Sequence, residues 1–217
     1  MGAQVTAALA LGAVLAGSFW YMAKNSHEGV SDRGPAVCTA SSGTLPAKYV
    51  SGTRLCEALN RPDLPVLLGT PRERAQNAWG SDGTLKGPEG TDRTPTPSAN
   101  VSLPTYEMEL SVSYDRFPVA ELGRLLGSTA EPTTFQGRPA VLYYDRTIAL
   151  KIPFGGKGKA ESRPGGPARH LLVAKDAKDG GGAYELVIWR QDEGIPDDVA
   201  LLKVAERVLP TVPGWAG

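Results

Sequence analysis

Three hydrophobic patterns divide the chain. Over residues 3–23 the run is apolar on every side. Its only polar side chains are Gln4, Thr6 and Ser18, and no charge appears before Lys24. At about 1.5 Å per residue such a helix covers roughly 30 Å, the thickness of a bilayer's hydrocarbon core. Phe19, Trp20 and Tyr21 gather at one end, where aromatic rings favour the lipid–water interface. Residues 1–23 therefore read as a transmembrane anchor. A cleaved signal peptide ending near Ala16 or Ser18 is the alternative; it would leave Phe19-Trp20-Tyr21-Met22 as a bulky new terminus and has no basic n-region. Ser18 stands where a lipoprotein would carry cysteine. Residues 24–37 are polar and aperiodic and read as a juxtamembrane linker, leaving 38–217 as the domain.

Period two is strongest at residues 106–114. Tyr106, Met108, Leu110, Val112 and Tyr114 alternate with Glu107, Glu109, Ser111 and Ser113, which predicts a strand with one wet face. Further strands are expected at 140–144 and 147–152, on either side of a tight Asp145-Arg146 turn. A hairpin is expected from 169–175 and 183–190, bending at residues 179–182.

Helical spacing appears four times. Ser51 or Thr53 caps a first helix carrying Leu55, Cys56 and Leu59, which Pro62 interrupts. Residues 63–69 form a short helix closed by Gly69. Residues 118–126 form a third, with Val119, Leu122, Leu125 and Leu126 inward. The last runs over 196–209, with Leu201, Val204, Ala205, Val208 and Leu209 buried, Asp197 and Asp198 at its positive end and Pro210 as its stop. The glycine- and proline-rich stretches 80–100 and 153–167 read as mobile loops. The fold class is α+β: one antiparallel sheet packed against about three helices.

An internal echo links residues 63–70 (DLPVLLGT) to residues 121–128 (ELGRLLGS). It suggests two related helix-plus-strands halves, or else two amphipathic helices with the same kind of glycine cap.

Charge narrows the partners. Lysine plus arginine and aspartate plus glutamate both number 23, so no net field favours nucleic acid. Two cysteines, Cys38 and Cys56, follow the anchor; an isolated pair in an exported chain points to a disulfide, with two buried thiols as the alternative. The cysteines place the domain outside the cytoplasm, although Lys24 and Arg33 after the span pull weakly the other way. With only His27 and His170 in the chain, a zinc site lacks ligands.

Catalytic and cofactor motifs are missing as well. His170 starts a strand, Gly-x-Ser-x-Gly is absent, and Gly155-Gly156-Lys157-Gly158-Lys159 lacks the spacing and hydroxyl of a phosphate loop. Glu107 and Glu109 read as a solvated strand face. Asn100-Val101-Ser102 matches a glycosylation triplet, a pattern short enough to arise by chance. No catalytic, cofactor-binding or metal residue is assigned, and no cofactor is expected.

The run from Leu55 to Pro71, with Ala168-Arg169-His170-Leu171, Lys178-Asp179-Gly180-Gly181-Gly182 and Ile188-Trp189-Arg190-Gln191, resembles a family of uncharacterised actinobacterial membrane proteins over about residues 38–215. The resemblance implies an anchored, exported domain and brings no activity with it. The expectation is a single-pass protein of the cell membrane, bound to the bilayer through residues 3–23, whose outer domain is a non-catalytic interaction module for an envelope protein. Two alternatives remain. A carrier or sensor of a small apolar ligand would line a cavity with Tyr114, Tyr143 and Trp189, and an enzyme would bring His170 to a carboxylate and a hydroxyl in one cleft.

Overall fold

The computed structural model describes residues 35–39, 45–86, 93–151, 161–192 and 194–215. The anchor at 3–23 and most of the linker lie outside the described residues, among which no helix is long and apolar enough to cross a membrane. Residues 35–217 form one compact unit.

Seven strands build a single antiparallel sheet: β1 (Asn77–Lys86), β2 (Arg93–Ser102), β3 (Tyr106–Val112), β4 (Glu131–Phe135), β5 (Arg138–Lys151), β6 (Glu161–Ala174) and β7 (Ala183–Arg190). Their spatial order is β1-β2-β3-β7-β6-β5-β4, two meanders joined where β3 meets β7. The helices are α1 (Gly52–Leu59), α2 (Leu64–Leu67), α3 (Val119–Leu125) and α4 (Asp198–Val208). The architecture is α+β.

Strand alternation decides where the main core sits. Tyr106, Met108, Leu110 and Val112 of β3 share one face with Ala99 and Val101 of β2, Leu186 and Ile188 of β7, and Leu171 and Val173 of β6. α1, α2 and α4 cover that face with Leu55, Leu59, Leu64, Leu201, Val204 and Val208. Each fully buried leucine contributes roughly 1.5–3 kcal/mol of burial energy before chain entropy is counted. Ser51 caps α1 by accepting from the Arg54 amide, and Asp197 caps α4 by accepting from Val199. Cys38 and Cys56 are joined in a disulfide that ties the chain ahead of α1 to the helix, and Thr39 bridges to Trp79 along the outer edge of β1.

α3 lies on the opposite face, over β4, β5 and β6, where Val119 meets Val141, Tyr143, Leu172, Ala174 and Ala183. Its cap, Pro118, offers no side-chain acceptor. Asp179 from the β6–β7 turn supplies it, taking the Val119 and Ala120 amides at 2.7 and 3.0 Å. Leu125, expected inward, is 80% exposed, because the helix turns Val119 and Gly123 to the sheet.

The two expected loops are corrected in large part. Residues 80–86 and 93–100 are strand, forming the β1–β2 hairpin. Gly80 is a contact glycine: a Cβ there would lie 2.2 Å from the Gly52 backbone, so its absence lets α1 rest directly on β1. Pro95 and Pro97 fall where β2 has β1 on one side only, since pairing with β3 starts at Ser98, and a missing ladder donor costs little at such an edge. Of the second stretch, residues 161–167 belong to β6 and 153–160 lie outside the described residues. The Asp145-Arg146 turn is likewise strand; β5 runs through it with a register shift between Arg146 and Ile148. Gly165 faces that irregularity, where a Cβ would lie 2.3 Å from the Thr147 hydroxyl.

The internal echo has a local explanation. Gly69 and Gly127 end their helices at φ of +75° and +81°, the left-handed cap that glycine adopts at least cost. A twofold axis relating antiparallel β3 to β7 would stand perpendicular to the sheet and keep both helices on one face. α2 and α3 lie on opposite faces.

Candidate functional site

The face opposite the main core carries the site. Cross-strand register arranges it in three rows running from β1 to β5. The first is Asn77, Ser102, Glu107, Trp189, Ala168 and Asp145. The second is Trp79, Asn100, Glu109, Val187, His170 and Tyr143. The third is Ser81, Ser98, Ser111, Glu185, Leu172 and Val141. These rows hold four carboxylates, one histidine and no lysine or arginine. α3 packs over the β4–β6 end, and among the described elements no helix packs over β2 and β3 on this side.

Three side chains form the tightest group. Glu185 accepts from His170 Nδ1 at 3.0 Å, and the Tyr143 hydroxyl donates to the same Oε1. An ionised acceptor requires the proton on Nδ1, which fixes the imidazole tautomer. The Tyr143 ring stacks on His170 with centroids 4.3 Å apart. Burial alone would lift the Glu185 pKa, but the bonds from His170 and Tyr143 outweigh it and hold the carboxyl below its ordinary value. Tyr143 moves the other way: burial and then the Glu185 charge raise its hydroxyl far above the usual phenol range. His170 thus meets a carboxylate and a hydroxyl on a sheet face, and that hydroxyl is engaged as a donor to the same carboxylate.

Glu107 and Glu109 differ from Glu185. Burial raises both pKa values; for Glu109 the Glu185 and Glu107 charges add to the rise and His170 opposes it, and for Glu107 a Ser102 hydrogen bond opposes it. Among the described residues no cation pairs with either, and none of the His, Cys, Asp and Glu groups is arranged to hold a metal ion.

The neighbouring residue of β6 points the other way. Arg169, 1% exposed, gives Asp198 of α4 two hydrogen bonds, at 2.6 and 2.8 Å, and lies 3.7 Å over the Tyr144 ring. Its Nη1 has no partner. Nearby, a cleft of about 560 Å³ opens between β4–β6 and α4, lined by Thr133, Gln136, Leu142, Leu171, Glu206 and Arg207 among others. The aromatic residues considered for a ligand cavity do not converge. Tyr114 packs edge-on against Tyr49 beneath the Lys175 ammonium, whereas Tyr143 and Trp189 stand on the polar face.

A profile of a family of unknown function, DUF6215, matches residues 1–129. The chain belongs to that family. The match runs from the apolar N-terminal segment through β3 and α3, so Glu107, Glu109 and Asn100 fall within it, while His170 and Glu185 lie beyond. No curated protein and no solved structure matches the chain.

Of the residues singled out in the sequence, Glu107, Glu109 and His170 meet on this face. Glu185, not singled out in the sequence, and Asn100, noted only as part of a glycosylation triplet, join them. Glu185 occupies the wet phase of the β7 alternation, the one sequence signal that places it on this face. Asn100 ends a stretch whose glycines and prolines have the composition of a loop; on β2 it is 8% exposed, no place for a glycan.

Proposed function

We propose that this protein is a non-catalytic interaction module outside the cytoplasm, tethered to the membrane by residues 3–23, whose polar sheet face receives an envelope partner. The observation that carries the reading is the unequal treatment of the two faces. One is covered by three helices, with a cleft left beside α4. The other keeps half-buried carboxylates, Glu107 and Glu109, that no lysine or arginine among the described residues pairs with, where a helix could have packed, an arrangement that costs stability unless something else covers it. The Cys38–Cys56 disulfide supports an oxidising compartment, and the apolar run at 3–23 supports the tether. The actinobacterial, membrane-protein character of the resemblance belongs to the same proposal.

A photocrosslinking residue at Ser111 of the full chain in cells tests it, with Glu57 of α1 as the control position. The expected result is one discrete adduct from Ser111, absent from Glu57 and lost when Ser98→Trp blocks the face. Equal adducts from both positions, none from either, or a product of two copies of this chain would overturn it.

A further inference from the structure

This inference rests on the sheet face just proposed and names the chemistry of its partner. Two adjacent polar groups there lack protein partners. Asn100 is 8% exposed, yet its carboxamide makes no hydrogen bond to any described residue. Directly across the β2–β3 ladder stands Glu109, whose carboxylate has neither a hydrogen bond nor an ion pair among the described residues. Side chains opposed in this way lie about 4.5–5.5 Å apart at Cβ, close enough to share one ligand group.

The surroundings restrict that group. Glu107 and Glu185 add negative charge beside Glu109, which His170 offsets only in part, so the ligand group is a cation. On the β1 side Trp79 opposes Asn100; on the β7 side Val187 opposes Glu109, and Trp189 stands one row away, opposite Glu107. Trp79 is 39% exposed and open to stacking. A guanidinium satisfies all of these together, because its planar fork donates to a carboxylate and an amide oxygen at once and stacks on indole. An ammonium would satisfy the charge without the planar stack.

We infer that the Asn100–Glu109 step of the sheet face binds the guanidinium of an arginine presented by the partner polypeptide.

The test titrates the full-length chain in detergent with acetyl-Thr-Arg-Thr-amide and its citrulline and lysine analogues, following the Asn100 side-chain amide and Trp79 indole signals by NMR. The arginine peptide should shift both signals and bind at least about tenfold more tightly than the uncharged citrulline peptide, and more tightly than the lysine peptide. Glu109→Gln, close in shape to the native residue, and Asn100→Ala should each weaken binding about tenfold, while Glu57→Gln on α1 leaves it unchanged. No shift, equal affinity for citrulline or lysine, or equal loss in Glu57→Gln would overturn the inference, and the comparison among peptides on the unaltered chain stands even if Asn100→Ala does not fold. The Ser111 crosslink separates the two claims. An adduct that persists without arginine preference sinks this inference alone, and loss of the adduct sinks the binding face as well.

Discussion

Arg169 and Asp198 are joined by two hydrogen bonds, from Nε at 2.6 Å and from Nη2 at 2.8 Å, which fasten α4 to the middle of β6. The guanidinium is fully buried, so removing its partner leaves a charge in the core. Asp198→Ala should cost roughly 2–4 kcal/mol in chemical denaturation. Arg169→Met, which removes the buried charge itself, should cost less. Glu131→Gln, an exposed partner 3.7 Å away, should change stability by under about 0.5 kcal/mol. Equal losses for Asp198→Ala and Glu131→Gln would contradict this ranking.

Asp179 acts as the missing cap of α3 from sixty residues away, and it does so from a left-handed backbone at φ +56°. Asp179→Ala should destabilise the fold by about 1–2 kcal/mol. In the variant, hydrogen exchange at the Val119 and Ala120 amides of α3 should be faster than in the native chain. Unchanged protection at those amides would mean that the cap contributes nothing.

Glu109 and Glu185 give the stability profile opposite slopes with pH. Burial raises the Glu109 pKa, so its contribution is full below the unfolded carboxylate value of roughly 4.3 and is lost as pH rises through the higher folded value. The lowered Glu185 pKa contributes above that unfolded value and is lost as pH falls through the depressed folded one. Glu109→Gln should therefore stabilise the protein at neutral pH, by a Tm rise of roughly 2–4 °C, with little change in acid. Glu185→Gln should destabilise it at neutral pH. A Glu109→Gln variant less stable at neutral pH would reverse the assignment.

Reduction of Cys38–Cys56 should cost about 3 kcal/mol through loop closure alone. In the exported full-length chain, maleimide should label neither cysteine until reductant is added. Ready labelling of both would exclude the disulfide in cells.

Gly80→Ala should push α1 off β1, since the new Cβ has the Gly52 backbone at 2.2 Å. A loss of at least about 1–3 kcal/mol is expected, with limited proteolysis entering the β1–β2 hairpin in the variant and sparing its paired strands in the native chain. Rapid native cleavage at residues 93–100 would restore the loop reading of that stretch.

The sequence by itself determined the local elements. The alternation from Tyr106 to Val112, the 3.6-residue stripe of α4 and the Ser51 and Asp197 caps are one-dimensional signals whose physics acts within a few residues, and each element stands where its pattern places it. The sequence also pointed Cys38 and Cys56 towards a disulfide, with two buried thiols as the alternative that the structure removes. Only the tertiary structure decided what glycine and proline meant. Gly80 and Gly165 are needed because a distant chain segment presses on them, and Pro95 is tolerated because one side of its strand is an edge, neither of which shows in a local window. The polar face was decided in the same way. Glu109 and Glu185 are 76 positions apart, and they share a surface because the β3–β7 junction joins the two meanders in antiparallel register. The pairing of strands so far apart in sequence is a property of the packed sheet, since the alternation within each strand fixes which face a side chain takes and leaves open which neighbour it meets.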